Sequence, residues 1–311
     1  MQKTKIEWVD YSSNPVKFLF PEQNEPINFC VPVSPGCAHC YASSLVNRFG
    51  GQGHYKKATM DKATCVIVEK EIESILKFKP NPPFKNGQER AKVFPCDMTD
   101  LFGEFVPFEI IDRVLAAFAL RDDMDFMVLT KRPENVPRMW TGVVGLTDFG
   151  GDWVLKRLYR SNIWLGASVE DQPRADERRE HLKALRDFAP VLFVSYEPAL
   201  GPVDWTGWEF LNWMVIGGES GPDARPFDLQ WARDAITWCR ENDVAPFMKQ
   251  IGSNAWLSHW EKTPAPLLVG GPDSIGFRLE TKNPKGGSPK EWSSDLQDCR
   301  NFPEPAMVES R

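Results

Sequence analysis

Six short apolar segments, each followed by polar residues or glycine, constrain the fold of this 311-residue chain more than any other feature. Continuous apolar runs of this length are typical of buried parallel strands, whereas half-exposed strands alternate. Helix-like stretches lie between them at residues 106–121, 174–188 and 228–243, with start signals at Pro107 and Asp228. The apolar segments are AKVFPCD (91–97), DFMVLTKRP (125–133), SNIWLGASVED (161–171), PVLFVSYEP (190–198), NWMVIGGES (212–220) and APFMKQIG (245–252).

This alternation of strands and helices predicts an α/β protein whose parallel strands are joined by right-handed crossovers. We expect a partial barrel of about six strands, with an open doubly wound sheet as the alternative. After Gly252 the pattern gives way to segments rich in Pro, Gly and Ser. We therefore predict a barrel domain over residues 1–252 and an irregular C-terminal extension over residues 253–311.

Composition and charge indicate an ordinary globular protein, with 42% hydrophobic residues, 26% charged residues and a net charge of −6. The negative charge argues against a broad basic surface for a nucleic-acid backbone, although a local basic patch is compatible with it. The sequence has no apolar run of membrane-spanning length and no signal-peptide core at its N-terminus. We therefore expect a cytoplasmic protein without a membrane partner, in which the seven cysteines are free thiols.

Polar residues directly after the apolar segments form the candidate site, because the carboxyl ends of parallel strands meet at one edge of a sheet. Any one of them is also compatible with a solvated turn, but carboxylates gathered with cations favour a ligand of both charge signs. The segment IGGESG (216–221) would let the backbone approach a ligand, or would form a plain tight turn, and it lacks the dinucleotide-binding spacing. The candidate residues are Asp97, Asp100, Thr130, Lys131, Arg132, Ser168, Glu170, Ser195, Glu197, Glu219, Ser220, Lys249 and Gln250.

Three cysteines, Cys30, Cys37 and Cys40, lie within eleven residues and begin inside a β-like segment, INFCVPV (27–33). A [4Fe–4S] cluster is usually held by four cysteines, so three thiolates leave one iron without a protein ligand. An open coordination position on a metal can bind a further molecule. The spacing C-x₆-C-x₂-C therefore predicts a cluster that binds something.

Two other hypotheses come from the same residues. His54 could complete a Cys₃His zinc site, which would make the chain a zinc-stabilised binding protein without turnover. Paired carboxylates such as Glu197 and Glu219 could instead serve a hydrolase. Among the scattered cysteines, Cys96 lies at a strand end and could be a second thiol of the site or buried packing, whereas Cys239 lies on an apolar helix face and is expected in the core.

Seven motifs between Lys3 and about Pro303 carry a resemblance to known proteins: TKIEW, VSPGCAHCYA, LTKRP, GASVE, YEPALGPV, GGESGPDARP and KQIG. A three-cysteine loop after the first strand of an α/β barrel resembles the radical S-adenosylmethionine superfamily. The motifs together are more similar to a phage-associated family of unknown function with a three-cysteine motif. The first gap between cysteines is three residues longer here than the superfamily's C-x₃-C-x₂-C.

The resemblance implies a radical SAM-like partial (β/α)6 barrel in which the three cysteines each bind one iron of a [4Fe–4S] cluster. S-adenosyl-L-methionine would bind the fourth iron, and one electron would release a 5′-deoxyadenosyl radical that takes hydrogen from a substrate. The implied cofactor-binding residues are His39, Ser168, Glu170, Gly217, Gly218 and Glu219. The implied catalytic, substrate-side residues are Lys131, Arg132, Glu197, Lys249 and Gln250.

The resemblance also implies partners. These are an electron donor such as ferredoxin or flavodoxin and a separate three-cysteine-motif partner protein. Its phage association favours nucleic acid or a nucleotide as the substrate, and the 12 tryptophans offer stacking surfaces. The identity of the substrate is left open by the sequence.

Overall fold

A computed structural model describes residues 1–48, 55–137, 162–257, 268–269 and 277–303 of the chain. Its helices are α1 (Tyr41–Arg48), α2 (Glu69–Lys77), α3 (Phe108–Ala119), α4 (Gln172–Lys183), α5 (Leu229–Glu241) and α6 (Ser294–Gln297). Its strands are β1 (Gln2–Lys3), β2 (Tyr11–Ser13), β3 (Val16–Leu19), β4 (Thr64–Ile67), β5 (Ala91–Pro95), β6 (Met124–Thr130), β7 (Ile163–Ser168), β8 (Leu192–Tyr196), β9 (Trp213–Gly217), β10 (Phe227–Asp228), β11 (Ala245–Gln250), β12 (Ala255–Leu257), β13 (Leu268–Val269) and β14 (Phe277–Leu279).

All six apolar segments of the sequence form strands, namely β5, β6, β7, β8, β9 and β11. Strands β7, β8 and β9 are buried at every residue, as a strand covered on both faces must be. The three predicted helices are also present as α3, α4 and α5. The predicted α/β class is confirmed.

The chain divides into two compact units, and each is described by itself. The first unit comprises the described residues of Met1–Ala167 and His181–Leu192. Its strands follow the order β1-β2-β5-β6-β7, with β2, β5, β6 and β7 parallel and β1 antiparallel at the edge. A separate hairpin pairs β3 with β4. Helix α3 connects β5 to β6, as a parallel crossover requires.

The second unit comprises the described residues of Ser168–Glu180 and Phe193–Glu304. Strands β8, β9 and β11 are parallel and adjacent in that order, and α5 connects β9 to β11. A second, four-stranded sheet has the order β10-β12-β14-β13. Between them these elements bring the carboxyl ends of β8, β9 and β11 to one edge.

Helix starts follow the sequence signals. Pro107 directly precedes α3, where its missing N–H costs no intrahelical bond. Asp228 caps α5, because its carboxylate accepts a hydrogen bond from the backbone N–H of Gln230 over 2.9 Å. Cys239, on the inner face of α5, is fully buried, and its predicted place in the core is confirmed.

Two sequence predictions are wrong. The segment at residues 27–33 is not a strand: only Ile27 pairs, in an isolated bridge to Phe18. The first parallel strand is β2 instead. The segment after Gly252 is not wholly irregular, since β12, β13 and β14 form a small sheet there. These strands have only two or three residues each, which is too short for a periodic pattern to predict them. The predicted domain boundary at residue 252 stays a prediction.

No helix in the described ranges is both long and apolar enough to cross a bilayer.

Candidate functional site

The cysteine loop, residues 30–40, lies in the first unit between β3 and α1. Cys37 closes a short 3₁₀ turn, and Cys40 directly precedes α1. The Cys37 N–H donates to the Ser34 carbonyl over 2.9 Å, and the Cys40 N–H donates to the Cys37 carbonyl over 3.3 Å. Cys30 and Cys40 both pack against one apolar cluster, whose buried members are Ala42, Val46 and Tyr55.

Asp100 organises the polar turn that follows β6. Its carboxylate accepts hydrogen bonds from the Thr130 hydroxyl over 2.7 Å, the Lys131 backbone N–H over 3.1 Å and the Arg132 guanidinium over 2.9 Å. Arg132 also donates to the carbonyl of Val31 over 2.9 Å. The turn after β6 therefore contacts the cysteine loop directly after its first cysteine.

Asp97, two residues after β5, contacts the other end of the loop. Its carboxylate accepts hydrogen bonds from the Asn14 amide over 2.6 Å and from the Tyr41 hydroxyl. Burial raises the pKa of Asp97, although both hydrogen bonds lower it. Because Asn14 follows β2 and Tyr41 begins α1, the cysteine loop lies at the carboxyl ends of β2, β5 and β6.

The thiols of the loop lie within electrostatic reach of one another and of two cations. Burial raises the pKa of Cys30 to about 12. The Asp100 carboxylate and the Cys40 thiol raise it further, and the Arg132 guanidinium lowers it. Burial likewise raises the pKa of Cys40, with Cys37 raising it further and the Lys131 ammonium lowering it. Two consecutive residues, Lys131 and Arg132, therefore each lower the pKa of one cysteine thiol, Cys40 and Cys30 respectively.

The donor set fits a soft metal or an iron–sulfur cluster by its chemistry. All seven cysteines are free thiols, and three of them share one loop. Within the part of the chain that the structure describes, no three His, Cys, Asp or Glu side chains are arranged as ligands of a single metal ion. His39 is exposed, and His54, the candidate fourth zinc ligand, lies outside the described residues.

In the second unit, Glu197 and Lys249 form a close ion pair at the ends of β8 and β11. The Lys249 ammonium donates to both carboxylate oxygens of Glu197, over 2.6 and 2.8 Å. The Gln250 amide donates to the same carboxylate over 3.1 Å and to the Gly218 carbonyl over 2.9 Å. A Cβ on Gly217 would lie 3.3 Å from the Gln250 carbonyl oxygen and 3.4 Å from the carboxyl carbon of Glu197, so the backbone of Gly217 lies close beside this group.

Two further candidate glutamates of the second unit, Glu219 and Glu170, bind arginines. Arg225 binds both oxygens of Glu219, and its backbone N–H also donates to Glu219 over 2.9 Å. Arg178, which is almost fully buried, donates to Glu170 over 2.9 Å and to the Ser168 carbonyl over 2.8 Å. These contacts hold both glutamates in place within the protein.

A family model for a protein of unknown function, DUF5131, matches residues 3–283 of the chain. The chain belongs to the DUF5131 family. We found no match among curated proteins and none among solved structures. The residues matched to DUF5131 include the cysteine loop, Glu197 and Lys249.

The predicted site residues of this DUF5131 member thus fall into two groups. The first unit brings Lys131 and Arg132 to the three cysteines, and His39 lies on the same loop. The second unit brings Glu197, Lys249, Gln250, Gly217 and Gly218 together, while Ser168, Glu170 and Glu219 contact arginines.

Cys96 is buried directly after β5. Its φ of +55° lies in the left-handed region, which is unfavourable for a residue with a Cβ.

The sequence does not reveal several contacts of the candidate site. Asn14 and Tyr41 were not singled out, although Asn14 directly follows β2 and Tyr41 directly follows Cys40. Arg178 and Arg225 were also missed. For Asn14 the signal was available once β2 was known, because it occupies the same strand-end position as the other candidates.

Proposed function

We propose that this DUF5131 member is an enzyme of the radical S-adenosylmethionine type. In this proposal Cys30, Cys37 and Cys40 hold a [4Fe–4S] cluster whose open iron binds S-adenosyl-L-methionine. Such a cluster, when bound and reduced, supplies one electron to the sulfonium of that cofactor and so releases a 5′-deoxyadenosyl radical. The proposal includes the radical SAM-like partial (β/α)6 barrel and the phage association that the motifs suggest.

One observation carries the proposal: three free thiols share a single loop at the carboxyl ends of parallel strands, within electrostatic reach of one another. Ligands in α/β folds bind at that end of the strands. The positive charges of Lys131 and Arg132 lower the pKa of Cys40 and Cys30, and so offset part of the rise that burial causes.

Roles for the second unit belong to the same proposal. We assign Glu197, Lys249 and Gln250 to contacts with the substrate, since their charged and amide groups converge at the strand ends. Nucleic acid or a nucleotide is the proposed substrate class. The proposed partners are an electron donor such as ferredoxin or flavodoxin and a three-cysteine-motif protein, in the cytoplasm.

The test is anaerobic reconstitution of the full chain with iron and sulfide, followed by metal counting, absorption and electron paramagnetic resonance spectra. We expect about four irons per chain with a matching amount of sulfide. Reduction in the presence of S-adenosyl-L-methionine should then yield 5′-deoxyadenosine. Alanine variants of Cys30, Cys37 and Cys40 should each lose both signals.

Cys65→Ser provides the matched control, because Cys65 is a half-buried free thiol of the same unit outside the loop. It should keep full iron content and cofactor cleavage. One zinc per chain, without a chromophore or cofactor cleavage, would establish the zinc-stabilised binding protein instead. Turnover that survives all three alanine variants would favour a hydrolase using Glu197 and Glu219.

A further inference from the structure

Arg132 is a buried arginine whose three guanidinium nitrogens each contact the protein itself. Its side chain is 5% exposed. Nη1 donates to the Asp100 carboxylate over 2.9 Å, Nη2 donates to the Val31 carbonyl over 2.9 Å, and Nε lies 2.8 Å from the carboxylate of Glu104. The guanidinium carbon also lies 5.4 Å from the ring centre of Phe105, within cation–π distance.

This environment does not suit a residue that binds substrate. A guanidinium recognises a ligand through a fork of N–H donors, and here each of its three nitrogens already contacts the protein. Asp100 fixes the preceding residues as well, through the Thr130 hydroxyl and the Lys131 N–H. The turn after β6 is therefore a rigid support, and Arg132 joins it to the cysteine loop through the carbonyl of Val31.

We propose that Arg132 is a positioning residue for Cys30 in the metal site. The inference rests on the function proposed above. The bond fixes the Val31 carbonyl, and the oxygen of that carbonyl also lies 3.9 Å from the Cys30 sulfur. Arg132 therefore holds the group against which the Cys30 side chain lies. The same guanidinium places a positive charge beside the sulfur. Lysine at this position would keep the positive charge, but it could not donate to the Asp100 carboxylate and the Val31 carbonyl from two nitrogens at once.

Arg121 provides a matched control in the same unit. It is also buried, and its guanidinium donates to the carbonyls of Ile75 and Phe78 and to the Asp123 carboxylate over 2.8 and 2.7 Å. Its partners lie in or next to α2 and α3, not in the cysteine loop. Arg121→Gln therefore measures how much stability is lost when a buried arginine with a purely structural role is removed.

The experiment compares the reconstituted wild type with Arg132→Lys, Arg132→Gln and Arg121→Gln. Iron content, the paramagnetic resonance spectrum of the reduced protein, its midpoint potential and thermal unfolding are measured for each. For Arg132→Gln we expect an altered spectrum and a more negative potential, since removal of a nearby positive charge disfavours the added electron. Arg132→Lys should retain the potential more closely yet show an altered spectrum. Arg121→Gln should unfold at a lower temperature with the wild-type spectrum and potential.

A second measurement, cysteine alkylation, also applies to variants that bind little iron. In the metal-free protein, the alkylation rate of Cys30 should change several-fold in Arg132→Gln, because the Val31 carbonyl is no longer held and the charge that favours the thiolate is gone. The rate of Cys65 in the same molecule should stay unchanged. An Arg132→Gln protein with wild-type spectrum, potential and Cys30 reactivity would overturn the inference, as would equal effects in Arg121→Gln. Absence of iron from the reconstituted wild type would overturn the proposed function instead, and the alkylation rates would still decide whether Arg132 positions Cys30.

Discussion

The hydroxyl of Tyr41 donates to both the backbone carbonyl and the carboxylate of Asp97, over 2.6 and 3.0 Å. Tyr41 directly follows the last cysteine of the loop, and Asp97 lies two residues after β5. At the other end of the loop, Arg132 makes the corresponding contact to Val31 from two residues after β6. The cysteine loop is thus held at both ends by residues that follow parallel strands.

The first prediction concerns this Tyr41 hydroxyl. Tyr41→Phe removes the one hydroxyl proton that the two Asp97 oxygens share, without changing the ring, so the free energy of unfolding should fall by about 1 kcal/mol. The beginning of α1 should also loosen, which makes the adjacent Cys40 more accessible. Alkylation of the metal-free protein, followed by mass spectrometry, should show faster modification of Cys40. Cys65 serves as the internal control, and an unchanged ratio of the two rates would contradict the prediction.

The strands that the sequence predicts are those whose burial is continuous. Residues 213–217 and 192–196 are apolar on both faces because both faces are covered, so the pattern is local and strong. Strand β2 contains only Tyr11, Ser12 and Ser13, of which two are serines. Its extended conformation depends on parallel pairing with β5, a contact 82 residues away in the chain for Tyr11 and Val93. No periodicity in three residues can reveal that.

In the candidate site, too, some features follow from the local sequence and others depend on distant parts of the chain. Glu170, Glu197 and Glu219, the glutamates that position at a strand end selects, are partly or fully buried. Their roles differ because their partners differ, and partners come from distant elements. Glu170 binds Arg178 on α4, a helix so polar that its sequence does not show which arginine points inward. Partner choice is a property of the tertiary structure and could not be predicted.

The second prediction concerns the ion pair between Glu197 and Lys249. Both side chains are less than one-fifth exposed, so each should depend strongly on the other. Unfolding of Glu197→Gln, Lys249→Met and the double variant should give a coupling energy of about 0.5–3 kcal/mol. The exposed pair of Glu73 and Lys77 is the control, with coupling of about 0.3–0.5 kcal/mol. Equal coupling in the two pairs would show that burial does not strengthen the inner one.

The third prediction separates packing from ligand binding at Gly218. A Cβ there would lie 2.6 Å from the Ile251 carbonyl oxygen and 2.7 Å from a ring carbon of Phe227. Gly218→Ala should therefore destabilise the protein by about 1–3 kcal/mol in the absence of any ligand. Gly201→Ala, where a Cβ has nothing within 4 Å, should leave the unfolding midpoint close to that of the wild type. Wild-type stability in Gly218→Ala would mean that the neighbouring backbone shifts at little cost.

The fourth prediction is a pair of opposite pH dependences in the first unit. Burial raises the pKa of Asp112, on α3, above its ordinary value of 3.8. Its contribution to stability is therefore present below that value and is lost as pH rises through the folded-state pKa. The hydrogen bond from Arg121 lowers the pKa of Asp123, so its contribution is present above 3.8 and is lost as the pH falls.

Denaturant unfolding between acidic and neutral pH measures both effects against Asp112→Asn and Asp123→Asn. The stability of the wild type relative to Asp112→Asn should fall as the pH rises, because the buried carboxylate must ionise in the wild type alone. Relative to Asp123→Asn it should rise over the same interval, because ionisation strengthens the bond to Arg121. Since the two residues lie eleven positions apart in one unit and differ mainly in the presence of an arginine partner, the same sign in both comparisons would contradict the assigned causes.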